Sequence, residues 1–295
     1  MRGWLSPIAI ITAATAAYFG GPFLRFAAVY ILGWSLAVFG AWLLLRYGLV
    51  NFGIGASYAL GAYAAGLMYR YLHTADLAVH LLAAVGAAGA WGALNGAVGI
   101  KTRGIYYSLL SLSLSMVLYG VLVKFYTVTG GSDGLYMPDP RLLGVRIGTA
   151  GLLALAALLA AAWAALGEVF GRSYAGHVAA GIKINELRTS ALGADVGRHI
   201  LISSVLASIA AGLGGLIVGY STSHVSPDFA YWVTSGKMVV GGLIASFLPW
   251  TWGFVASAAL YQAVELYSLQ FAYPELVVGG LLLAILAAWR LYYRR

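Results

Sequence analysis

The chain has 295 residues, of which 62% are hydrophobic and only 9% are charged, and its mean hydropathy is +0.87. Because a soluble domain carries about 25% charged residues on its water-facing surface, this composition excludes an ordinary soluble protein. The formal charge of +8 is interpreted as a topology signal at helix ends rather than as a nucleic-acid surface. No cysteine is present, which excludes disulfides and thiolate chemistry.

Apolar runs predict an all-α, polytopic bundle of about ten transmembrane helices in a single domain over 1–295, because a bilayer core of ~30 Å needs about 20 apolar residues per helix. The first run has the composition of a signal peptide, but we favour a retained helix because further membrane segments follow it. A polar stretch at 168–198 separates the sixth segment from the seventh. The segments lie near 5–20, 26–45, 48–69, 77–99, 105–123, 147–167, 200–220, 236–248, 250–266 and 274–291.

Positive charges place both termini and the stretch 168–198 in the cytoplasm. With ten crossings and a cytoplasmic N-terminus, eleven Lys and Arg residues fall inside and six outside, in agreement with the positive-inside rule. The segment 236–248 is short enough to be re-entrant, but Arg290, Arg294 and Arg295 would then lie outside. The six residues predicted outside are Arg25, Arg70, Lys124, Arg141, Arg146 and Lys237.

Small residues recur at every fourth position in two segments, and residues four apart share one helix face. Small side chains on such a face let helix backbones touch, which favours tight packing where lipid gives helices no hydrophobic drive to associate. The two sets are Gly53, Ser57, Gly61 and Ala65, and Ser204, Ser208 and Gly212.

The segment 105–123 carries a stripe of hydroxyl groups on one helical face. Two interpretations stay open: the hydroxyls bond to carbonyls of their own helix, or they line a polar path for a solute. The stripe comprises Ser108, Ser111, Ser115 and Tyr119, at spacings of three and four residues.

Gln262 and Glu265 lie one turn apart within or at the end of a predicted membrane helix. An ionisable group inside a membrane is costly, so Glu265 is a second candidate for the solute pathway, although it equally fits a solvated position just outside the apolar zone. Six other carboxylates fall in predicted loops, which weakens the case for ion-coupled transport. They are Asp76, Asp133, Asp139, Asp195, Asp228 and Glu275.

Catalytic constellations are absent from the sequence. No HExxH, GxSxG or complete phosphate-loop motif occurs, and no pair of histidines has helical ligand spacing. We therefore predict a chain that is not an enzyme, with no catalytic residues, no metal site and no cofactor, so that any ATP hydrolysis belongs to another chain. The isolated histidines are His73, His80, His177, His199 and His224.

The polar stretch 168–198 predicts a short amphipathic helix that ends at Gly193, whose lack of a side chain suits a C-cap. Such a helix either lies on lipid headgroups or docks into a groove of a soluble partner. Its apolar face comprises Ile184, Leu187, Ala191 and Leu192, and Lys183, Glu186 and Arg188 lie off that face.

Four regions between about residues 48 and 260 share a pattern with one protein family. They are Gly53 with Gly61-Ala62-Tyr63; Arg103-Gly104-Ile105-Tyr106-Tyr107 with Thr129-Gly130-Gly131-Ser132-Asp133-Gly134-Leu135; Asn185-Glu186 to Ala191-Leu192-Gly193; and Val225-Ser226-Pro227-Asp228-Phe229 with Val239-Val240-Gly241-Gly242. On these residues the chain resembles the permease subunits of ABC importers for branched-chain amino acids, the LivM-type branch. The Thr-Gly-Gly-Ser-Asp-Gly stretch is the most specific match.

The resemblance implies a non-catalytic subunit that translocates branched-chain amino acids or a similar small polar solute across the plasma (inner) membrane. Alternating access would be driven by separate ABC ATPase subunits, with a second, homologous permease subunit and an extracytoplasmic solute-binding protein as further partners in the lipid bilayer and no nucleic acid. Residues implied to couple to the ATPase are Lys183, Asn185, Glu186, Leu187, Arg188, Ala191, Leu192 and Gly193. Candidates for contact with the extracytoplasmic partner are Thr129, Gly130, Gly131, Ser132, Asp133 and Gly134.

The chain departs from the family pattern at several positions. His177 replaces an arginine, Ile54 a histidine and Met116 a glutamate, and Ile-Ala-Ser follows Leu243 where Gly-Ser is usual. The lost polar groups leave urea, short amides and nucleosides open as alternative substrates. A stand-alone ion-coupled transporter with Glu265 as its proton site is the alternative mechanism, and a membrane enzyme or scaffold is disfavoured by the missing catalytic groups.

Overall fold

The computed structural model describes residues 5–142, 144–248 and 252–268, with 270, 276, 279, 280 and 283 beyond them. Its helices are α1 (Leu5–Phe19), α2 (Pro22–Leu45), α3 (Ile54–Leu72), α4 (Leu77–Lys101), α5 (Gly104–Lys124), α6 (Tyr126–Thr129), α7 (Thr149–Arg172), α8 (Tyr174–Ile184), α9 (Glu186–Ala191), α10 (Val196–Thr222), α11 (Trp232–Phe247) and α12 (Gly253–Ser268). Its strands are β1 (Leu135–Tyr136), β2 (Arg141–Leu142), β3 (Val145–Arg146) and β4 (His224–Val225), and 3₁₀ turns cover Gly131–Asp133 and Pro227–Ala230.

Five helices of the described residues, α2, α4, α5, α7 and α10, are long and apolar enough to cross a membrane. Nine of the ten predicted segments overlap helices of the bundle, and the tenth, 274–291, lies almost entirely outside the described residues. The helices α1, α11 and α12 have only 15 or 16 residues. The chain is therefore an all-α membrane bundle in which long and short helices are mixed.

The two ends of the bundle carry different structures. At the hairpin end, β1 pairs with β4 and β2 with β3, both antiparallel, and Asp76 at the start of α4 bridges to Arg141 of β2. At the opposite end, which we call the α9 end, lie α8, α9 and the turn from α4 to α5. Helices α4, α5 and α10 each run from one end to the other.

The centre of the bundle is an antiparallel crossing of α2 and α10. Gly33 faces Val218 and Gly214, and Gly40 faces the backbone of Ala207. A side chain at any of these glycines would push the two backbones apart. The lack of side chains at these positions therefore sets the distance between α2 and α10. Both helices are buried along most of their length.

The packing around this crossing is an inverted repeat. Helix α10 is covered by α3, which runs parallel to it, and by α4, which runs antiparallel. Helix α2 is covered in the same way by α11 and α12. The unit α2–α4 therefore recurs in inverted orientation as α10–α12, an arrangement typical of transporters, and we call these two units the arms of the repeat. The sequence alone shows no such repeat.

Helices α3 and α11 begin inside the bundle rather than at its ends. Gly53, just before α3, contacts the backbone of Ser111 on α5, about 10 Å along that helix from its start. The start of α11 contacts the start of α3, where Ser235 meets Gly55. Two irregular stretches, 50–53 and 226–231, lead into these helices, and we call them the inner segments.

The helix at the predicted span 236–248 begins four residues earlier than predicted, at Trp232. Helix α11 begins at Trp232 within the bundle, after β4 at the hairpin end, and it ends at Phe247 near the α9 end. The chain thus runs from one end of the bundle to the other as the inner segment 226–231 followed by a short helix. Irregular backbone at such depth is tolerated only where it is buried in protein or lines a water-filled cavity.

The predicted packing of small residues is confirmed where α3 meets α10. A side chain added at Gly61 would collide with the backbone of Gly212, and one at Gly215 would collide with Tyr58. On the other side of α10, Gly92 of α4 faces Ser208. Helix α10 is therefore in backbone contact with two neighbours at once.

Replacing Gly61 by alanine should destabilise the bundle by about 1–3 kcal/mol, because the added methyl group has no room against the backbone of α10. Gly120→Ala on α5 is the matched control, since a side chain there meets open space and alanine favours a helix over glycine. Thermal unfolding of the two variants in detergent measures the difference. Equal unfolding temperatures would show that the α3–α10 contact is looser than described.

Candidate functional sites

The hydroxyl groups of α5 bond to the inner segments. The Ser108 hydroxyl donates to the carbonyl of Val50 at 2.9 Å, and the amide of Phe52 donates to Ser111 Oγ at 3.1 Å. The Ser115 hydroxyl donates to the carbonyl of Ala230 at 2.8 Å. We call Ser108, Ser111 and Ser115 the hydroxyl ladder, because they pair irregular backbone with α5 at three successive levels.

The fourth member of the predicted stripe, Tyr119, packs its ring against Tyr231 at a centroid distance of 5.2 Å. Bonds within α5 also occur, since Ser108 reaches Gly104 O at 3.2 Å and Ser111 reaches Ser108 O at 2.9 Å. The hydroxyl ladder therefore combines bonds to its own helix with bonds across to the inner segments. A solute path along these residues stays a prediction, and a solute there would compete with the backbone for the same hydroxyls.

Two further polar residues complete the start of α3, and sequence analysis missed both. The Gly53 amide donates to Asn51 Oδ1 at 2.7 Å, and the Gly55 amide donates to Ser235 Oγ at 3.0 Å. The first turn of a helix has amides without intrahelical partners, so these two acceptors replace water at a buried helix start. The only sequence signal is an asparagine two residues before Gly53 within an otherwise apolar run.

Glu265 of α12 forms an ion pair with Lys237 of α11, and both side chains are about one-third exposed. Lys237 lies one turn before Gly241, which faces Trp34 near the middle of α2. The prediction that Lys237 lies at the outer end of the bundle is therefore wrong, because α11 begins at mid-depth. Glu265 also lines a cavity of about 400 Å³ between α2 and α12, together with Tyr30.

Three polar caps shape the loop between α7 and α10. Ser173 accepts from the Gly176 amide at the start of α8, Asn185 from the Arg188 amide at the start of α9, and Asp195 from the Arg198 amide at the start of α10. The predicted single amphipathic helix is thus two helices, because the Asn185 backbone is extended and its side chain starts α9 anew. Gly193 follows α9 with a φ of 93°, in line with its predicted C-cap role.

The α9 surface exposes large apolar side chains. Ile184, Leu187 and Leu192 are 86%, 84% and 81% exposed, and Ala191 is also exposed. On the opposite side, Thr189 is buried against Gly181 of α8. The loop therefore keeps α9 close to α8 while it presents apolar groups outward, in a charged setting that includes Lys183 and Arg188.

Arg103, in the turn before α5, binds Glu186 of α9 through two parallel hydrogen bonds. Its Nε lies 2.6 Å from Glu186 Oε2, and one of its terminal nitrogens lies 2.7 Å from Oε1. Paired bonds of this kind fix orientation as well as distance. Sequence analysis assigned Glu186 to an external partner and did not connect it to Arg103, which is 83 residues away.

The stretch Thr129–Gly134 forms a tight turn at the hairpin end. Gly130, Gly131 and Gly134 all have positive φ values, between 58° and 76°, which residues with a side chain rarely adopt. The Thr129 hydroxyl donates to carbonyls at the end of α5 and is buried. Ser132 and Asp133 are exposed, so they are the members of this stretch best placed to meet another protein.

Comparison with known families decides the class of the molecule. A family model described as branched-chain amino acid transport system / permease component matches residues 23–288. The chain belongs to this family. No match was found among curated proteins. The matched range contains both arms of the inverted repeat and the α8–α9 loop, and the permease is a multi-pass membrane protein.

The structure shows where the residues that depart from the family pattern lie. Ile54 is fully buried at the first residue of α3 and contacts Gly40, and Met116 is half-buried in the middle of α5. His177 lies on α8, with Nδ1 2.8 Å from the Ser173 carbonyl. The first two lie at or near the inner segments, so this part of the permease carries fewer polar side chains than the family pattern has.

Removing one partner of the Lys237–Glu265 pair should destabilise the permease more than removing both. Lys237→Met and Glu265→Gln each leave one charge without its partner at a depth where α2 is surrounded by lipid or protein. The double variant leaves no unpaired charge there. Unfolding temperatures in detergent measure this, and we expect the double variant to be nearer the wild type than either single variant. Strictly additive losses would mean that the two side chains do not interact.

Proposed function

We propose that the permease is the non-catalytic membrane subunit of an ABC importer, in which ATP hydrolysis occurs on a separate chain that grips α9. The observation that carries the proposal is the exposed apolar surface of Ile184, Leu187 and Leu192 on a firmly capped loop. Three large apolar side chains left exposed within nine residues of one loop mark an interaction surface. A helix of six residues is a short projection, suited to a groove on a partner.

Charge supports a cytoplasmic position for this surface, where ATP is found. Among the described residues, more Lys and Arg lie at the α9 end than at the hairpin end, as the positive-inside rule requires of a cytoplasmic face. Those at the α9 end are Arg46, Lys101, Arg103, Arg172, Lys183, Arg188 and Arg198, and those at the hairpin end are Arg25, Arg70, Lys124, Arg141 and Arg146. Both termini on the same side, ten crossings and a plasma-membrane location complete the proposal.

The inverted repeat supports transport by alternating access. The two arms pack in similar ways around the α2–α10 crossing. When their helices move as rigid units, the solute path can open first to one side of the membrane and then to the other. The starts of α3 and α11 lie at the centre of this exchange. The family match supports a branched-chain amino acid or a similar small polar solute as the substrate.

The partner implied by this proposal includes a second permease of similar fold and an extracytoplasmic solute-binding protein, which Ser132 and Asp133 at the hairpin end would meet. Urea, short amides and nucleosides are the competing substrates. A binding assay of the solute-binding protein against these compounds and the branched-chain amino acids distinguishes them. Preferential binding of a nucleoside or an amide would reject the amino-acid assignment and leave the importer assignment standing.

Leu187→Asp should abolish capture of the ATPase and ATP-dependent uptake, because it adds a charge to an apolar contact. The side chain is exposed, so folding should be unaffected. Val145→Asp, at a side chain 71% exposed at the hairpin end, is the matched control and should retain both activities. Co-purification with the ATPase and uptake into proteoliposomes are the measurements.

Two results would contradict the proposal. Unchanged capture and uptake by Leu187→Asp would remove α9 as the contact surface. Solute flux by the purified chain alone under a proton gradient would instead support an ion-coupled transporter with Glu265 as its proton site.

A further inference from the structure

The contact between Arg103 and Glu186 joins α9 to the transmembrane helices. Among the described residues, its two bonds are the only side-chain hydrogen bonds that join α9 to residues outside the stretch 173–222. Both side chains are about one-third exposed, and the guanidinium also donates to the Thr102 carbonyl at 3.0 Å. The Arg103 side chain is therefore fixed to the turn before α5 and at the same time bonds to Glu186, the first residue of α9.

Helix α5 is buried over less of its length than α2 or α10. Only Tyr107, Ser111, Ser115 and Leu122 of its 21 residues are buried. Because fewer of its side chains pack against the bundle, moving α5 breaks fewer van der Waals contacts than moving α2 or α10 would. The hydroxyl ladder spans about 10 Å of this helix and bonds to both inner segments.

The inner segments belong to opposite arms of the inverted repeat. The stretch 50–53 precedes α3, and 226–231 precedes α11. Ser108 and Ser111 bind the first stretch, and Ser115 binds the second. Helix α5 therefore bonds to the segments that lead into both α3 and α11.

We infer that Arg103 and Glu186 are positioning residues that transmit displacement of α9 to α5, and that the hydroxyl ladder passes it to the starts of α3 and α11. The inference rests on the proposed function, because a partner must move α9. It adds a specific route: the bidentate ion pair links α9, the helix bound by the partner, to α5, and α5 contacts the starts of α3 and α11. Breaking the pair uncouples the partner from the solute path without removing the partner's binding surface.

A charge exchange tests the ion pair directly. Arg103→Glu and Glu186→Arg each place like charges together, and we expect each to lower ATP-driven uptake at least ten-fold. Arg103→Glu, which lies outside the α9 surface, should still capture the ATPase. The double variant restores opposite charges and should recover most of the uptake, and Arg103→Lys should retain part of it. Arg172→Ala is the control, because it removes an ion pair with Glu168 within α7 at the same end of the bundle.

Hydrogen exchange on the isolated permease gives a second readout that needs no partner. In Arg103→Glu, the amides of α9 and the Phe52 amide, which donates to Ser111, should exchange faster than in the wild type, whereas Arg172→Ala should leave both unchanged. Unchanged exchange at these amides, or full uptake by Arg103→Glu, would overturn the inference. A wild-type permease that captures no ATPase would instead refute the proposed function, and the exchange result would still decide whether the pair positions α5.

Discussion

Irregular backbone at the centre of a membrane bundle must find its hydrogen-bond partners within the protein, because lipid supplies none. The structure meets this constraint at the two inner segments with serine and asparagine side chains. Ser108, Ser111 and Ser115 serve the segments from α5, and Asn51 and Ser235 serve the start of α3. Helices α3 and α11 can begin inside the bundle because these groups satisfy the backbone there.

Close contact of helix backbones supports the same arrangement from the other side. Gly61 and Gly212 bring α3 against α10, and Gly33 and Gly214 bring α10 against α2. Helices α3 and α11 are thus packed along one face against the central helices. The segments that lead into them are held by hydrogen bonds to α5. The bundle thus joins a rigid centre, made of packed small residues, to a helix that is buried over less of its length.

Apolar length was sufficient to predict the helices, because the requirement to span a bilayer acts on each segment separately. Small-residue faces were predicted for the same local reason, and the contact of Gly61 with Gly212 confirms that interpretation. The hydroxyl stripe was recognised from its spacing. Its partners were not, since Val50 and Ala230 are 58 and 115 residues away and a backbone carbonyl leaves no mark on the sequence.

Errors arose where one local feature overrode a regular pattern. The helix predicted around 184–192 breaks because Asn185 accepts an amide hydrogen bond and starts a new helix. Lys237 was assigned to an outer loop because charge counting assumes that helices begin at a membrane surface, and α11 does not. The bond between Arg103 and Glu186 joins two loops that only the folded bundle brings together.

On the proposed function, the exposed apolar groups of α9 have a consequence for the life of the subunit before assembly. A newly made permease without its ATPase keeps Ile184, Leu187 and Leu192 in water. Such a surface invites chaperones, proteases and self-association. Balanced synthesis of the two subunits would therefore matter for the abundance of the permease as much as its own folding stability does.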